Sequence, residues 1–262
     1  MNGNDMDTFN FRGYEIPVHL MMLTGGGPDT FEEISNKHFL SLKKHVAIDP
    51  SHNLLEIGCG IGRDAIPLSS FLTSGSYMGV DIIRPSIDWC VDNISKRSPN
   101  CEFVHFDVKD QLHNPHGTIS TKDIRLPTKE GSVDRIFLFS VFTHMFEAEI
   151  VHYLKEFRRS VKSNGLVYAT TFIFDDIILS KARETNLTIF DLRFEHQISD
   201  GCRINNLTFP LGAVAYTMDK WMEMIEVAGF RLLTPAIRGS WSGAFINELD
   251  GQDVLVLEPN EA

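Results

Sequence analysis

A short apolar run leads into alternating glycines in the stretch Leu54-Leu55-Glu56-Ile57-Gly58-Cys59-Gly60-Ile61-Gly62. The apolar run at 53–57 predicts a buried strand, and the pattern that follows predicts a helix at 63–73. Glycine tolerates positive φ and lets a ligand approach the backbone closely. The stretch therefore predicts a strand, a ligand-binding turn and a helix, with a purely structural glycine turn as the alternative.

Acidic residues follow the next two predicted strands. Asp81 ends the strand at 76–81, and Asp107 follows the strand at 101–106. Open α/β sheets bind ligands at the carboxyl ends of their strands, where Asp81 is placed to accept both hydroxyls of a ribose. Two successive acids around a nucleoside favour a ligand without phosphates, although each acid taken alone could be a solvated strand end.

Strand-like and helix-like segments alternate along the chain as they do in βαβ units. Further helices are predicted at 28–46, 86–97, 147–161 and 217–228, and further strands at 133–140, 166–174, 230–237 and 253–258. The pair Asn164-Gly165 predicts a left-handed stop between helix and strand. Residues 175–216 leave the alternation, which favours an excursion over one face of the sheet. We therefore expect one α/β domain over residues 1–262, with an N-terminal helical segment at 1–50.

Composition narrows the possible partners. The 24 Lys and Arg against 35 Asp and Glu leave a net charge of −11, which disfavours binding to a nucleic-acid backbone. The longest apolar run, 136–146, is far short of the roughly 20 residues that cross a bilayer. Residues 1–20 contain no continuous apolar stretch of the secretory type, so we expect a cytoplasmic protein with no membrane partner. The four cysteines lack C-x-x-C spacing and the ten histidines form no ligand motif, which predicts no metal site.

These motifs resemble those of the class I S-adenosylmethionine-dependent methyltransferases. The first motif of that family is similar to Glu56 with Gly58, Gly60 and Gly62, its ribose-binding acid to Asp81, and its adenine-side acid to Asp107 with Val108. Residues 134–140 resemble the strand-four motif, and Ser140-Val141-Phe142-Thr143-His144 resembles the S-V-F-T-H segment of a bacterial small-molecule subgroup. The segments 114–117 and 239–243 extend that likeness more weakly.

Over residues 50–175, where the likeness is strongest, it implies a Rossmann-like sheet of seven strands in the order 3-2-1-4-5-7-6 with the last strand antiparallel. It also implies that S-adenosylmethionine lies over strands 1 and 2 and leaves as S-adenosylhomocysteine. The residues expected to hold it are Glu56, Gly58, Cys59, Gly60, Gly62, Arg63, Asp81, Ile82, Asp107, Val108, Phe139 and Ser140. Arg63 would pair with the methionine carboxylate, or else lie on the helix surface.

On the acceptor side, we expect a small molecule, with in-line transfer of the methyl group to a hydroxyl of a sugar or natural product. His144 is the candidate general base, unless it only shapes its turn or binds substrate. Trp241 and Phe194 are candidate substrate contacts, with structural packing as the alternative. Residues 175–216 would cap the acceptor pocket and residues 20–27 would form a lid, and each has a purely structural role as its alternative.

Two other functions remain as alternatives at this point. A nicotinamide-dependent oxidoreductase would carry the fingerprint G-x-G-x-x-G, whose third glycine falls at position 63, and that residue is Arg63. A cofactor-binding protein that has lost catalysis would keep the same glycine turn and acids. A nucleic-acid acceptor is disfavoured by the net charge and by the Ser140-Val141-Phe142-Thr143 segment, which stands where an N/D-P-P-Y/F/W motif would lie.

Overall fold

The computed structural model describes residues 7–110, 114–188 and 190–260. They form two compact units, Met1–Ile119 (the N-terminal unit) and Ser120–Ala262 (the C-terminal unit), and the expectation of a single domain stays a prediction. The α-helices are α1 (Val18–Met21), α2 (Pro28–His45), α3 (Ala65–Phe71), α4 (Arg84–Cys90), α5 (Glu147–Ser160), α6 (Asp176–Thr185) and α7 (Met218–Val227). The strands are β1 (Thr8–Phe11), β2 (Tyr14–Pro17), β3 (Asn53–Ile57), β4 (Ser76–Asp81), β5 (Cys101–His105), β6 (Val133–Leu138), β7 (Val161–Thr171), β8 (His196–Ser199), β9 (Cys202–Ile204), β10 (Val214–Tyr216), β11 (Phe230–Leu232) and β12 (Asp253–Pro259). Among the helices described, none is both long and apolar enough to cross a membrane.

The N-terminal unit is built on the parallel strands β3, β4 and β5. The strands β3 and β4 begin and end at the residues that the sequence predicted. Four of the five residues of β3 are buried, as expected for a parallel strand packed on both faces. Since parallel strands end at the same edge of a sheet, Gly58 after β3 and Asp81 at the end of β4 lie at one edge.

A hairpin formed by β1 and β2 precedes these strands, and the sequence analysis did not predict it. Arg12 and Gly13 form its two-residue turn with φ values of 52° and 83°, the positive values that close a tight hairpin. Arg97 donates a hydrogen bond to the Gly13 carbonyl at 2.8 Å, and its guanidinium lies 4.4 Å from the centre of the Tyr14 ring. The N-terminal segment therefore contains two strands as well as the predicted helix α2.

In the C-terminal unit, β6 and β7 are parallel, and β12 lies antiparallel between β7 and β11. Along the seven-stranded sheet the order is β5-β4-β3-β6-β7-β12-β11. If the seven strands are numbered by their own order in the chain, this is 3-2-1-4-5-7-6 with the last strand antiparallel. The predicted fold class and strand order are therefore confirmed.

The junction between α5 and β7 corrects one prediction. The strand begins directly at Val161, whose ψ of 144° is extended, and Asn164-Gly165 lies inside β7. The pairing of β6 with β7 is irregular just after Val133. A Cβ atom at position 165 would lie 2.5 Å from Val161 Cγ2 and 2.9 Å from the Asp134 carbonyl oxygen. Glycine is therefore needed there for the close approach of two strands, and it does not stop the helix.

Residues 175–216, called the cap segment below, carry α6 and a small antiparallel sheet in the order β10-β9-β8. Its last residue, Tyr216, donates its N–H to the Phe172 carbonyl at 3.0 Å and accepts from the Phe174 N–H at 3.0 Å. These bonds fix the returning strand β10 beside the end of β7. A buried apolar cluster joins the cap segment to its surroundings and consists of Phe172, Phe174, Ile178, Leu179, Ala182, Leu192, Phe194, Ala213, Ala215 and Trp241.

Candidate functional site

The glycine turn after β3 has the backbone conformation that its sequence predicted. Gly58, Gly60 and Gly62 have φ values of 78°, 52° and 78°, a region that residues with a side chain rarely adopt. The N–H groups of Gly58 and Cys59 donate to the Val80 carbonyl at 2.8 and 3.2 Å, which ties the turn to β4. The turn therefore presents bare backbone at the edge of the sheet where ligands bind.

The Asp81 side chain is hydrogen-bonded to that turn. Its Oδ2 atom accepts the Gly60 N–H at 2.7 Å, and its Oδ1 atom accepts the Ile83 N–H at 2.8 Å. The side chain is 8% exposed, so the carboxylate is held in one position at the mouth of the turn. Because a carboxylate oxygen can accept more than one hydrogen bond, these contacts leave capacity for ligand hydroxyls.

Glu56, the acid that precedes the glycines, lies in the core below the turn. The Tyr77 hydroxyl donates to its Oε2 atom at 2.5 Å, and both residues are buried. Burial raises the pKa of Glu56 well above its ordinary value, and the nearby negative charge of Asp64 raises it further. The structure therefore places Glu56 as a support of the turn, and direct contact with a cofactor stays a prediction.

This position gives Glu56→Gln a defined pH signature. An unfolded glutamate has a pKa of about 4.3, so between that pH and the higher pKa of the folded state the folded chain holds a proton that the unfolded chain has released. The free energy of unfolding of the parent therefore falls as the pH rises, and Glu56→Gln lacks this loss. We expect urea unfolding to favour the variant increasingly over the parent as the pH rises from about 5. Parallel pH curves for the two proteins would contradict the raised pKa.

Arg63 joins the predicted lid segment to the glycine turn. Its Nη1 atom donates to the Thr24 carbonyl at 3.3 Å, and its guanidinium lies 5.8 Å from the centre of the Phe31 ring. A Cβ atom at Gly60 would lie 2.6 Å from Thr24 Cγ2, so Thr24 packs directly on the turn. Among the residues described, the buried Nε atom of Arg63 has no hydrogen-bond partner. That unused donor suits an anionic ligand group, and its pairing with a carboxylate stays a prediction.

Asp107 accepts hydrogen bonds from Asn114 and Thr118, which follow β5 in the chain. Its carboxylate accepts bonds from the Thr118 hydroxyl at 2.6 Å, the Asn114 amide at 3.1 Å and the Thr118 N–H at 3.2 Å. These bonds, the Thr118 hydroxyl first, hold the pKa of Asp107 below its ordinary value. Asn114 also donates to the Val108 carbonyl at 3.0 Å. The sequence analysis singled out the segment 114–117, which contains Asn114, but it did not predict that Asn114 would bind Asp107.

Cys59 and Ile82 are two further residues that were predicted to bind the cofactor. The Cys59 side chain is buried, and a Cβ atom at Gly79 would lie 2.8 Å from its sulfur, so the thiol faces β4. The Ile82 carbonyl lies 3.2 Å from the His105 Nε2 atom. A contact of either residue with the cofactor stays a prediction.

At the end of β6, Ser140 lies in a closed set of polar contacts. Its φ of 58° is unusual for a residue with a side chain and is typical of strained functional positions. The Ser140 N–H donates to the Thr170 hydroxyl at 2.7 Å, that hydroxyl donates to Gln252 Oε1 at 2.6 Å, and Gln252 Nε2 donates to the Ser140 hydroxyl at 2.9 Å. Sequence reasoning found Ser140 and missed Thr170 and Gln252. Phe139 beside it is half-buried and packs on Tyr168, with ring centres 5.2 Å apart.

His144 closes the short helical turn that follows Ser140. Its Nδ1 atom lies 2.8 Å from the Leu211 carbonyl oxygen of the cap segment. Because a carbonyl oxygen only accepts, Nδ1 carries the hydrogen, and in the neutral ring Nε2 carries the lone pair. The structure thus brings the candidate base and the cap segment into contact.

Trp241 and Phe194 lie in the core of the C-terminal unit. Trp241 is 5% exposed and Phe194 is fully buried, and their ring centres are 5.6 Å apart in an edge-to-face arrangement. The Trp241 indole N–H donates to Asp253 Oδ2 at 2.8 Å. Both side chains therefore fill the cluster under the cap segment. This packing does not favour the predicted substrate contact, which stays untested.

Comparison with known proteins finds similarity to methyltransferases. Residues 54–165 match the family described as Methyltransferase domain. The chain is also similar to Methyltransferase GfsG of Streptomyces halstedii, with 25% identity over 138 residues that cover 52% of this chain and 44% of that protein. The chain spans about half the length of the curated relatives that it matches.

Solved structures share the fold. The mitomycin 7-O-methyltransferase MmcR superposes with a TM-score of 0.57 at 10% identity, covering 92% of this chain and 60% of that one. The 1,6-didemethyltoxoflavin-N1-methyltransferase of Burkholderia thailandensis, solved with 1,6-didemethyltoxoflavin and S-adenosylhomocysteine, gives a TM-score of 0.55 at 14% identity, covering 88% of this chain and 80% of that one. At these identities the likeness is one of fold.

Proposed function

We propose that this chain, whose residues 54–165 belong to the class I S-adenosylmethionine-dependent methyltransferases, methylates a hydroxyl group of a small sugar or natural product. The observation that carries the proposal is the bond between Asp81 and the Gly60 N–H. It couples a buried carboxylate to a turn of bare backbone at one edge of the sheet. A nucleoside ligand without phosphates would use the carboxylate for its ribose and the glycine backbone for close approach.

The residues present fit S-adenosylmethionine. The Asp81 carboxylate would accept the two ribose hydroxyls, and the glycine turn would contact the ligand through its backbone. The unused Nε donor of Arg63 would serve the methionine carboxylate, which guanidinium groups bind well. When bound, S-adenosylmethionine supplies a methyl group on an excellent leaving group. The protein then has to align the acceptor and exclude water, and alignment alone supplies up to about 7–11 kcal/mol.

His144 would take the proton of the acceptor hydroxyl at Nε2. An alcohol or phenol becomes strongly nucleophilic only as its proton leaves, and an imidazole, with an ordinary pKa of about 6.5, suits that task at physiological pH. Ser140, whose hydroxyl lies 3.2 Å from the Thr143 hydroxyl in the turn of His144 and accepts from Gln252, would bind further hydroxyls of the acceptor. Among the structural neighbours, MmcR is named as an O-methyltransferase and the Burkholderia thailandensis enzyme as an N1-methyltransferase, so the choice of a hydroxyl acceptor rests on the candidate base His144.

A screen for product formation tests the proposal. The purified chain would be incubated with S-adenosylmethionine and a panel of sugars, phenols and alcohols, with matched amines and thiols as the control set, and S-adenosylhomocysteine would be measured. We expect turnover in the hydroxyl set. Turnover confined to amines or thiols would contradict O-methylation. Tight cofactor binding without turnover on any acceptor would favour the inactive cofactor-binding protein, and binding of a nicotinamide dinucleotide instead would favour the oxidoreductase.

A further inference from the structure

The His144 turn and the cap segment meet at two hydrogen bonds within the C-terminal unit. His144 Nδ1 lies 2.8 Å from the Leu211 carbonyl oxygen, and the Tyr216 hydroxyl donates to the Met145 carbonyl at 3.2 Å. We propose that the Leu211 carbonyl is the positioning group that holds His144 in its Nδ1–H form and thereby makes Nε2 the atom that takes the acceptor's proton. This inference rests on the proposed function, and it makes the cap segment part of the catalytic apparatus.

The argument begins with the two nitrogens of the ring. A neutral imidazole carries one hydrogen, and an Nε2–H ring cannot accept a proton at Nε2. If Nδ1 lost this acceptor, the contact would no longer favour the Nδ1–H form, and a smaller part of the population would be competent. A carbonyl oxygen 2.8 Å from Nδ1 selects the competent form and fixes the ring orientation. Enzymes that activate a nucleophile with a base commonly orient that base with a third group, and the Leu211 carbonyl would be the third group here.

The same contact strengthens during proton transfer. When Nε2 takes a proton, the ring becomes a cation, and the bond from Nδ1–H to the Leu211 carbonyl becomes charge-assisted. His144 is half-buried, so water screens this bond only in part. The carbonyl therefore favours the protonated ring that the reaction forms, as well as the neutral form that precedes it.

The direction of the Leu211 carbonyl is set by the cap segment itself. Leu211 lies within the short helical turn Pro210–Gly212, which the Gly212 N–H closes by donating to the Phe209 carbonyl at 3.0 Å. The next residue, Ala213, accepts the Asn205 N–H at 3.0 Å. These bonds hold the backbone on both sides of Leu211 without help from His144. Movement of the turn would withdraw the acceptor from the histidine.

Gly212→Pro tests this arrangement because it rotates one carbonyl. Proline disfavours helical backbone in the residue before it, which turns Leu211 towards an extended conformation, and it also removes the N–H that closes the turn. Leu211→Ala is the control, since it changes the side chain of the residue that carries the carbonyl and leaves the carbonyl in place. The readout is the nitrogen-15 spectrum of labelled histidine above the titration range of the ring, with the His144 signals assigned by their loss in His144→Gln.

In the parent and in Leu211→Ala we expect a hydrogen-bearing Nδ1 and a hydrogen-free Nε2, and in Gly212→Pro a mixture of both forms. With an acceptor in hand, Gly212→Pro should lower kcat by about 10- to 100-fold, within the general-base contribution of about 10²- to 10⁴-fold, with little change in the KM for S-adenosylmethionine. A parent spectrum with the hydrogen on Nε2 would overturn the inference, even if Gly212→Pro failed to fold. Failure of the proposed function is distinct, because it would appear as absent turnover with the Nδ1–H form intact.

His144→Asn and His144→Gln provide a second, independent comparison. The asparagine amide can place a donor where Nδ1 lies, so it keeps the bond to Leu211 and loses the base, whereas glutamine reaches the position of Nε2. We expect His144→Asn to retain the melting temperature of the parent more closely than His144→Gln, with turnover lost in both. Equal melting temperatures for the two variants would count against the bond to Leu211.

Discussion

Asp81→Ala is expected to weaken S-adenosylhomocysteine binding by about 10²- to 10⁴-fold. Each ribose hydroxyl would donate to a charged carboxylate, and such a bond contributes about 1.5–3 kcal/mol. Two of them give about 3–6 kcal/mol, at about 1.4 kcal/mol for each factor of ten. The substitution also removes the acceptor of the Gly60 N–H, which loosens the turn itself. Titration calorimetry measures the effect directly.

Two variants serve as controls for Asp81→Ala. Asp88→Ala makes the same change of charge at the exposed ion pair with Arg84, so it should leave the affinity unchanged. Asp81→Asn keeps one oxygen acceptor and should give an intermediate affinity. Parental affinity in Asp81→Ala, with the variant shown to be folded by circular dichroism, would remove Asp81 from the cofactor site.

Asp253→Ala is expected to lower the free energy of unfolding by about 3–5 kcal/mol. The carboxylate is fully buried and accepts the Ile173 N–H at 2.7 Å, the Trp241 indole N–H at 2.8 Å and the Gly239 N–H at 3.0 Å. Its Oδ1 atom also lies 3.0 Å from Arg238 Nε. Removal of the carboxylate leaves these donors and a half-buried cation without their acceptor, which is the costly way to break a buried pair.

Urea unfolding of three proteins tests the role of Asp253. Asp200→Ala removes an exposed acid from a turn of the cap segment and should match the parent within about 0.5 kcal/mol. Asp253→Asn keeps the shape and one acceptor oxygen, so its loss should be intermediate. A loss below about 1 kcal/mol in Asp253→Ala would show that the network around Trp241 is not what holds the segment 238–253 in place.

The sequence by itself determined the local features of the N-terminal unit. The strands β3 and β4 have the predicted bounds because an apolar run that ends in glycine or aspartate encodes its own limits. The positive φ values of Gly58, Gly60 and Gly62 followed in the same way, since only glycine adopts them without strain. The strand order came from the resemblance, which local pattern does not supply.

Tertiary structure decided the contacts that join distant residues. The pair Asn164-Gly165 was expected to stop a helix, yet the glycine lies in a strand because a neighbouring strand approaches too closely for a side chain. Trp241 and Phe194 were candidate substrate contacts with structural packing as the alternative, and they pack on each other inside the cluster under the cap segment. An aromatic residue gives the same sequence pattern at the wall of a pocket and in a buried cluster, and only the residues that surround it in the fold distinguish the two settings.

The contacts of His144 and Ser140 show most clearly what the sequence alone did not predict. His144 was found from its segment, but the group that orients it is the backbone carbonyl of Leu211, 67 residues away in the chain. Every residue has a carbonyl, so no residue type marks this one. Gln252 reaches Ser140 across 112 residues for a similar reason, since an amide is common on surfaces. Sequence supplies the chemical groups, and folding selects which of them meet, because hydrogen bonds depend on distance and direction that composition does not encode.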